Sequence, residues 1–296
     1  SLGQAASHRK DKWRMTGGWR GRAGRFSIML FSAAIASPAF ADVPNCELES
    51  GPARAVAKVV DGETLVLDDG SEVRLIGALP PRALDGGAEE GMWPLEAAAK
   101  AELERLALGK SVELAFGGRR TDRYGRLLAH VFVRDGSNRF WLQGAMLQDG
   151  HARAYALPGN TACLADLVSA EAAAREARLG LWAHASYEVR SADKYRELLR
   201  FRSTYQLVEG RAITVSDVRR QIYLNFGINW REDFTVTVRP RHRRAFDDAQ
   251  FDFKALEGRR IRVRGWIERR GGPLIEVYHP AQIEILPEHA SPDLQP

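Results

Sequence analysis

Val56-Ala-Lys-Val-Val60, Glu63-Thr-Leu-Val-Leu-Asp68 and Glu72-Val-Arg-Leu-Ile76 interleave Val- and Leu-rich positions with polar ones, and the pairs Asp61-Gly62 and Asp69-Gly70 interrupt them. A period near two, broken by such turn pairs, predicts three strands joined by tight turns. From Pro94 the spacing changes to three and four. Leu95, Ala98, Ala99, Glu102, Leu103 and Leu106 fall along one helical face, which Gly109 closes. Residues 111–116 and 127–134 return to strand, and 142–149 and 163–179 read as helices, the second ended by Gly180.

The order β-β-β-α-β-β-α-α suits a small closed five-stranded barrel with helices packed on it, an OB-type architecture. Ser191 stands where the cap of a short helix over 192–202 belongs. Strands then recur at 206–215, 221–226, 234–239, 260–268 and 274–286, with 244–256 filling the gap after the third. That pattern predicts a second small β-barrel, OB-like by architecture alone. The expected fold class is α+β, two barrels with helices. The expected division is an N-terminal arm (42–54), a first domain (55–190), a linker helix (191–203), a second domain (204–287) and a tail (288–296).

Composition is that of a globular protein, with 45% hydrophobic and 27% charged residues. The N-terminal segment changes how the charge is read. Arg14, Arg20, Arg22 and Arg25 precede the apolar run 26–36, and Ser37-Pro-Ala-Phe-Ala41 has the small-x-small pattern of a signal-peptidase site. Residues 1–41 are therefore expected to be a cleaved export signal, with those before Met15 as an upstream extension. The alternative is an uncleaved anchor, although the run is shorter than the roughly 17–25 residues that span a bilayer. The expected product is periplasmic or extracellular, with no stable membrane insertion once the signal is gone.

Residues 1–41 carry seven Lys/Arg and one Asp, so the remainder falls from +5 to 5 − 6 = −1. The excess positive charge thus belongs to the leader and says nothing about partners. Within the remainder, 42–190 is net −5 and 191–296 net +4, which leans any polyanion footprint toward the C-terminal half. Cys46 and Cys163 both lie outside the leader; in an oxidising compartment they suggest one disulfide, the alternative being two buried thiols.

Val59-Val-Asp-Gly-Glu-Thr64, Arg120-Thr-Asp-Arg-Tyr-Gly-Arg126 and Gly180-Leu-Trp182, in that order and spacing, resemble the staphylococcal nuclease (thermonuclease) family over about 55–182. The resemblance implies an OB barrel and a calcium-dependent phosphodiesterase acting on DNA and RNA. It places Arg74 and Arg126 on the scissile phosphate, where a planar guanidinium forks onto two oxygens and tightens as charge builds in the transition state. It places Arg123 and Tyr124 at a neighbouring phosphate and Tyr155 near a base.

The acidic half departs from that pattern. Glu63 takes the place of one calcium-binding aspartate, with Asp61 beside it as a further oxygen donor. The family's Asp-Thr-Pro-Glu becomes Leu79-Pro80-Pro81-Arg82, so Leu79 stands in place of the second metal-binding Asp and Arg82 in place of the Glu that the resemblance implies as general base. Asp85, Glu89 and Glu90 are conceivable replacements. In the second half, Arg262 and Arg264 alternate with apolar residues on the strand that carries Trp266, a pattern suited to holding single-stranded nucleic acid or to an ordinary amphipathic strand. His130 reads as a core histidine. The leading expectation is an exported nucleic-acid or polyanion binder with hydrolysis reduced or lost. The alternatives are a working calcium-dependent nuclease with substitute carboxylates, and an envelope scaffold that binds protein or glycan.

Overall fold

The computed structural model describes residues 43–86, 91–229 and 231–288. The expected signal, Glu89, Glu90 and nearly all of the tail lie outside the described residues.

The first sheet is built from β1 (Glu49–Val59), β2 (Thr64–Leu67), β3 (Glu72–Leu75), β5 (Ser111–Phe116) and β6 (Leu127–Asp135), with β4 (Ala78–Leu79) between β3 and the helices. Neighbours run β3-β2-β1-β5-β6, and a parallel β3–β6 pairing closes the ring into a five-stranded barrel. Leu65, Leu67, Val73, Leu75, Val112, Leu114, Val131 and Val133 fill it. The helix α2 (Pro94–Ala107), after the short α1 (Ala83–Gly86), buries Ala99, Leu103 and Leu106 of the predicted face together with Ala107, whereas Ala98 is exposed. After β7 (Asn138–Trp141), α3 (Leu142–Gln148) is buried along nearly its whole length, β8 (Arg153–Ala154) pairs with β4, and α4 (Leu164–Glu176) leads toward the second sheet.

β1 begins earlier than the Val56 predicted from periodicity. Its first residues pair with β5 across a bulge between Ser50 and Ala53 and expose most of their side chains, so no apolar alternation marks them. The turn from β3 into β4 needs Gly77, with φ at 81° and Leu167 only 2.2 Å from where a Cβ would stand. Cys46 and Cys163 are joined in a disulfide with Cα atoms 5.2 Å apart, fastening the chain ahead of β1 to the start of α4.

The second sheet follows β9 (Arg190–Ser191) and α5 (Tyr195–Leu198). The helix expected over 192–202 is a series of short turns. Only Leu198 is buried within 195–201, which leaves no apolar face to hold a longer helix. Next come β10 (Tyr205–Arg211), β11 (Thr214–Val218), β12 (Gln221–Asn225), β13 (Thr235–Val238), α6 (Arg243–Asp248), β14 (Arg260–Arg270), β15 (Gly272–Glu276) and β16 (Ile283–Ile285). The predicted strand 206–215 bends at Ala212–Ile213 because its partner changes: β10 pairs with β14, while β11 pairs with β12. The predicted strand 274–286 breaks at Pro280, which opens a 3-10 turn before β16. Neighbours run β11-β12-β13-β15-β14-β10, with β13 and β15 parallel, and the β10–β11 bend links the two ends. This repeats the neighbour order of the first barrel.

A third apolar cluster joins the two sheets. Leu79, Ala174, Leu181, Trp182 and Tyr187 from the first part pack with Tyr205 and Leu207 of β10. No helix among the described residues is long and apolar enough to cross a membrane.

Candidate phosphate-binding cleft

At one end of the first barrel a cleft of about 260 Å³ is lined by Asp61, Glu63, Arg74, Arg82, Glu96 and Arg126, among others. Backbone pairing brings these residues together. Thr64 lies opposite Arg74 in the β2–β3 ladder, and Leu75 N–H donates to the Glu63 carbonyl at 2.8 Å. Arg126 stands just before Leu127, whose partner across the parallel β3–β6 pairing is Val73, next to Arg74. Two arginines far apart in sequence thus reach one cleft through a single strand pairing.

Asp122 holds Arg126 in place. Its Oδ1 accepts the backbone N–H groups of Tyr124 (2.9 Å) and Arg126 (3.0 Å), and its Oδ2 accepts Arg126 Nε at 2.8 Å. Burial works against the Asp122 carboxylate, but the Arg126 side chain and those two N–H groups outweigh it and keep the carboxyl below its usual range. With Nε engaged, the terminal nitrogens of Arg126 have no partner among the described residues and remain free to fork onto an anion.

Glu63 is buried, with 5% of its surface exposed, and both carboxylate oxygens are committed. Oε2 accepts from Arg74 at 3.3 Å and Oε1 accepts from Arg82. Asp61 Oδ1 accepts the Glu63 N–H at 2.9 Å, the bond of an Asx turn. Leu79 is buried in β4, and Glu96 Oε2 accepts the N–H of Gly91. Asp85 is no substitute ligand: its Oδ2 takes bonds from Arg153 (2.8 Å), Tyr187 (3.2 Å) and the Arg82 N–H (3.2 Å), in a nearly closed pocket.

Calcium seeks six to eight oxygens with several carboxylates among them. The residues of this cleft do not fit that need. Glu63 faces two guanidiniums, and among the described residues no three His, Cys, Asp or Glu side chains are placed to share an ion. Glu63 and Asp61, the expected metal ligands, are brought together, but as an ion-pair and turn arrangement.

Tyr124 is largely exposed beside the cleft; its hydroxyl accepts from Arg123 at 2.6 Å, and the Arg123 guanidinium lies 4.7 Å from its ring centre. Tyr155 N–H donates to the Gly77 carbonyl, and its ring meets Tyr205 and Trp266 edge to face at 5.4 and 6.4 Å. Arg262 and Arg264 are elsewhere. Arg264 is fully buried between the barrels, where it donates to Glu171 at 3.0 Å and to Glu284. Arg262 is held by Glu209 (2.7 Å) and Glu284 (2.9 Å). Neither offers a nucleic-acid strand an open face, because the polar side of β14 is the side that docks on α4. His130 is buried against Trp141, and burial depresses its pKa to about 4.

In the sequence Arg82 stands only as a missing acid. That its guanidinium turns back onto Glu63 is visible only in the fold. Its signal was position alone, a cation inside the motif on which the phosphate arginines depend.

The first sheet is a closed five-stranded barrel with helices packed on it, and one end of it gathers Arg74 and Arg126 into a single cleft. Residues 72–184 match the family model described as staphylococcal nuclease homologue, and the first barrel is a staphylococcal nuclease-like domain. The thermonuclease of Staphylococcus intermedius is 29% identical over 135 residues, covering 45% of this chain and 77% of that protein. An uncharacterised protein of Methanocaldococcus jannaschii is 27% identical over 146 residues, 43% of this chain and 70% of that one. An uncharacterised protein of Bacillus anthracis is 38% identical over 82 residues, 27% of this chain and 36% of that one.

Proposed function

We propose that this protein is an exported binder of nucleic acid or a related polyanion in which phosphodiester hydrolysis is reduced or lost. The observation that carries the reading is the Arg74–Glu63–Arg82 bridge inside the cleft. A guanidinium accepts no proton from water at neutral pH, so Arg82 cannot do the work of a general base. Losing a positioned base forfeits about 10²–10⁴-fold in rate, and the weakened calcium ligation adds to that. Both arginines of the gripping half line the cleft, Arg126 oriented by Asp122 and Arg74 paired with Glu63. Export is supported by the leader-like sequence and by the Cys46–Cys163 disulfide, which suits an oxidising compartment.

The test measures cleavage and binding together. The purified protein and its Arg126→Ala variant are incubated with single-stranded DNA and with RNA, in calcium or in chelator, and binding is titrated across salt. The expected result is no calcium-dependent cleavage above the variant, with binding that weakens steeply as salt rises and falls further in Arg74→Ala and Arg126→Ala. Calcium-dependent cleavage abolished by Arg126→Ala would overturn the loss of hydrolysis. Failure to bind either polymer at low salt would overturn the polyanion reading and favour a protein- or glycan-binding scaffold.

A further inference from the structure

β14 sends Arg262, Arg264 and Trp266 to the same side, as any strand does with alternate residues. That side is the seam between the barrels: Arg264 is sealed against Glu171 of α4, and Arg262 is tied to Glu209 and Glu284. Two residues beyond Arg264 the seam opens, and Trp266 emerges 38% exposed. A tryptophan left this open at the edge of a closed seam calls for a physical explanation.

Its surroundings supply one. Trp266 packs edge to face on Tyr155 and on the buried Tyr205, with ring centres 6.4 and 5.8 Å away. Two aromatic neighbours fix its orientation and lower the entropy cost of presenting its remaining surface. Tyr155 in turn sits opposite Gly77, at the end of the segment that begins with Arg74, and its hydroxyl is within electrostatic reach of Arg74, Glu63 and Arg82. Tyr155 thus links the strand segment that leaves the cleft to Trp266, which belongs to the second barrel.

We infer that Trp266 is a stacking platform for an unpaired base next to the phosphate held by Arg74 and Arg126, so that the two barrels form one site selecting single-stranded over duplex nucleic acid. This rests on the polyanion-binding reading above and adds to it a substrate class and a role for the second barrel. A base in a duplex is already stacked and paired, and extracting it costs a few kcal/mol. An unpaired base meets the indole without that cost, and such stacking changes affinity by about tenfold or more per base.

The experiment compares a short oligothymidylate, an abasic phosphodiester of equal length and a duplex, each titrated against the full chain, Trp266→Ala and Trp266→Phe. The protein is expected to bind the oligothymidylate more tightly than the other two. Trp266→Ala should lose about tenfold on the oligothymidylate alone, and Trp266→Phe, which preserves the packing on Tyr155 and Tyr205, should recover part of the loss. Bound oligothymidylate should also quench tryptophan emission in the parent more than in Trp266→Phe, a readout that does not depend on the alanine variant folding. Equal affinity of parent and both variants for the oligothymidylate, with unchanged quenching, would overturn the platform while Arg74→Ala still weakened binding. Absence of binding to all three probes would instead strike the underlying functional reading.

Discussion

Glu63 reaches the cleft with Oε2 bonded to Arg74 and Oε1 to Arg82, so a phosphate entering there must compete with a carboxylate for the same guanidiniums. Two unit charges about 4 Å apart at an effective dielectric near 20 interact by about 4 kcal/mol, much of which the neighbouring arginines offset. Glu63→Gln removes the competitor and keeps the shape. Affinity for a single-stranded oligonucleotide should rise on the order of tenfold at low salt, measured by titration; an unchanged or weaker affinity would show that Glu63 orients the arginines more than it opposes the ligand. His130 gives a second prediction at this scale. Its folded pKa of about 4 lies below the ordinary 6.5, so the unfolded chain takes up a proton first as pH falls. The stability that neutral His130 contributes is present above about 6.5 and is lost progressively down to about 4, roughly 3 kcal/mol in all. Denaturation midpoints across that window should fall in the parent and flatten in His130→Leu. The roles of Arg74 and Arg126 were legible only through the resemblance of the motifs around them to a nuclease family, since the β3–β6 pairing that brings them together is long-range. The Glu63–Arg82 contact was not, because it depends on how the Pro80–Pro81 segment folds back over the barrel end.

Strand β14 illustrates what alternation can and cannot tell. Period two assigned Arg260, Arg262 and Arg264 to one face and Ile261, Val263 and Gly265 to the other, and Ile261, Val263 and Gly265 are buried. It could not say what would cover the polar face, since the answer, α4 with Glu171, lies in the other half of the chain. Helix α4 has a matching oddity: Glu171 is fully buried, yet it accepts from Arg264, Arg175 and the Ala154 N–H, so none of its charge is left unpaired. Burial alone would discharge Arg264, but Glu171 and Glu284 oppose it and keep its pKa above the usual arginine value. Arg264→Met should destabilise by about 3–5 kcal/mol, because it strips a buried carboxylate cluster of its central cation. The check is a shift in denaturant midpoint. The paired change Arg264→Met with Glu171→Leu should recover only part of the loss: apolar residues of similar volume often replace buried ion pairs without penalty, but Arg175 and the Ala154 N–H lose the acceptor that Glu171 gives them.

Helix α4 also determines how the whole molecule comes apart. Its first turns contribute Leu164 and Leu167 to the first barrel's core, its later turns bring Ala174 to the inter-barrel cluster, and Cys163 just ahead of it carries the disulfide to Cys46. A helix shared between a core and a seam cannot leave one without loosening the other. Unfolding is therefore expected as a single transition, with tryptophan emission and far-ultraviolet dichroism changing together. The disulfide closes a loop spanning 117 positions, which in the chain-entropy account stabilises by up to about 4–5 kcal/mol through the unfolded state. Its removal by Cys46→Ser and Cys163→Ser should lower the midpoint for both barrels at once. If the double variant instead lost the first barrel at low denaturant while the second persisted, α4 would not couple them. The Arg264–Glu171 pair would then be a contact between two independent folds rather than the tie that makes one site of the cleft and Trp266.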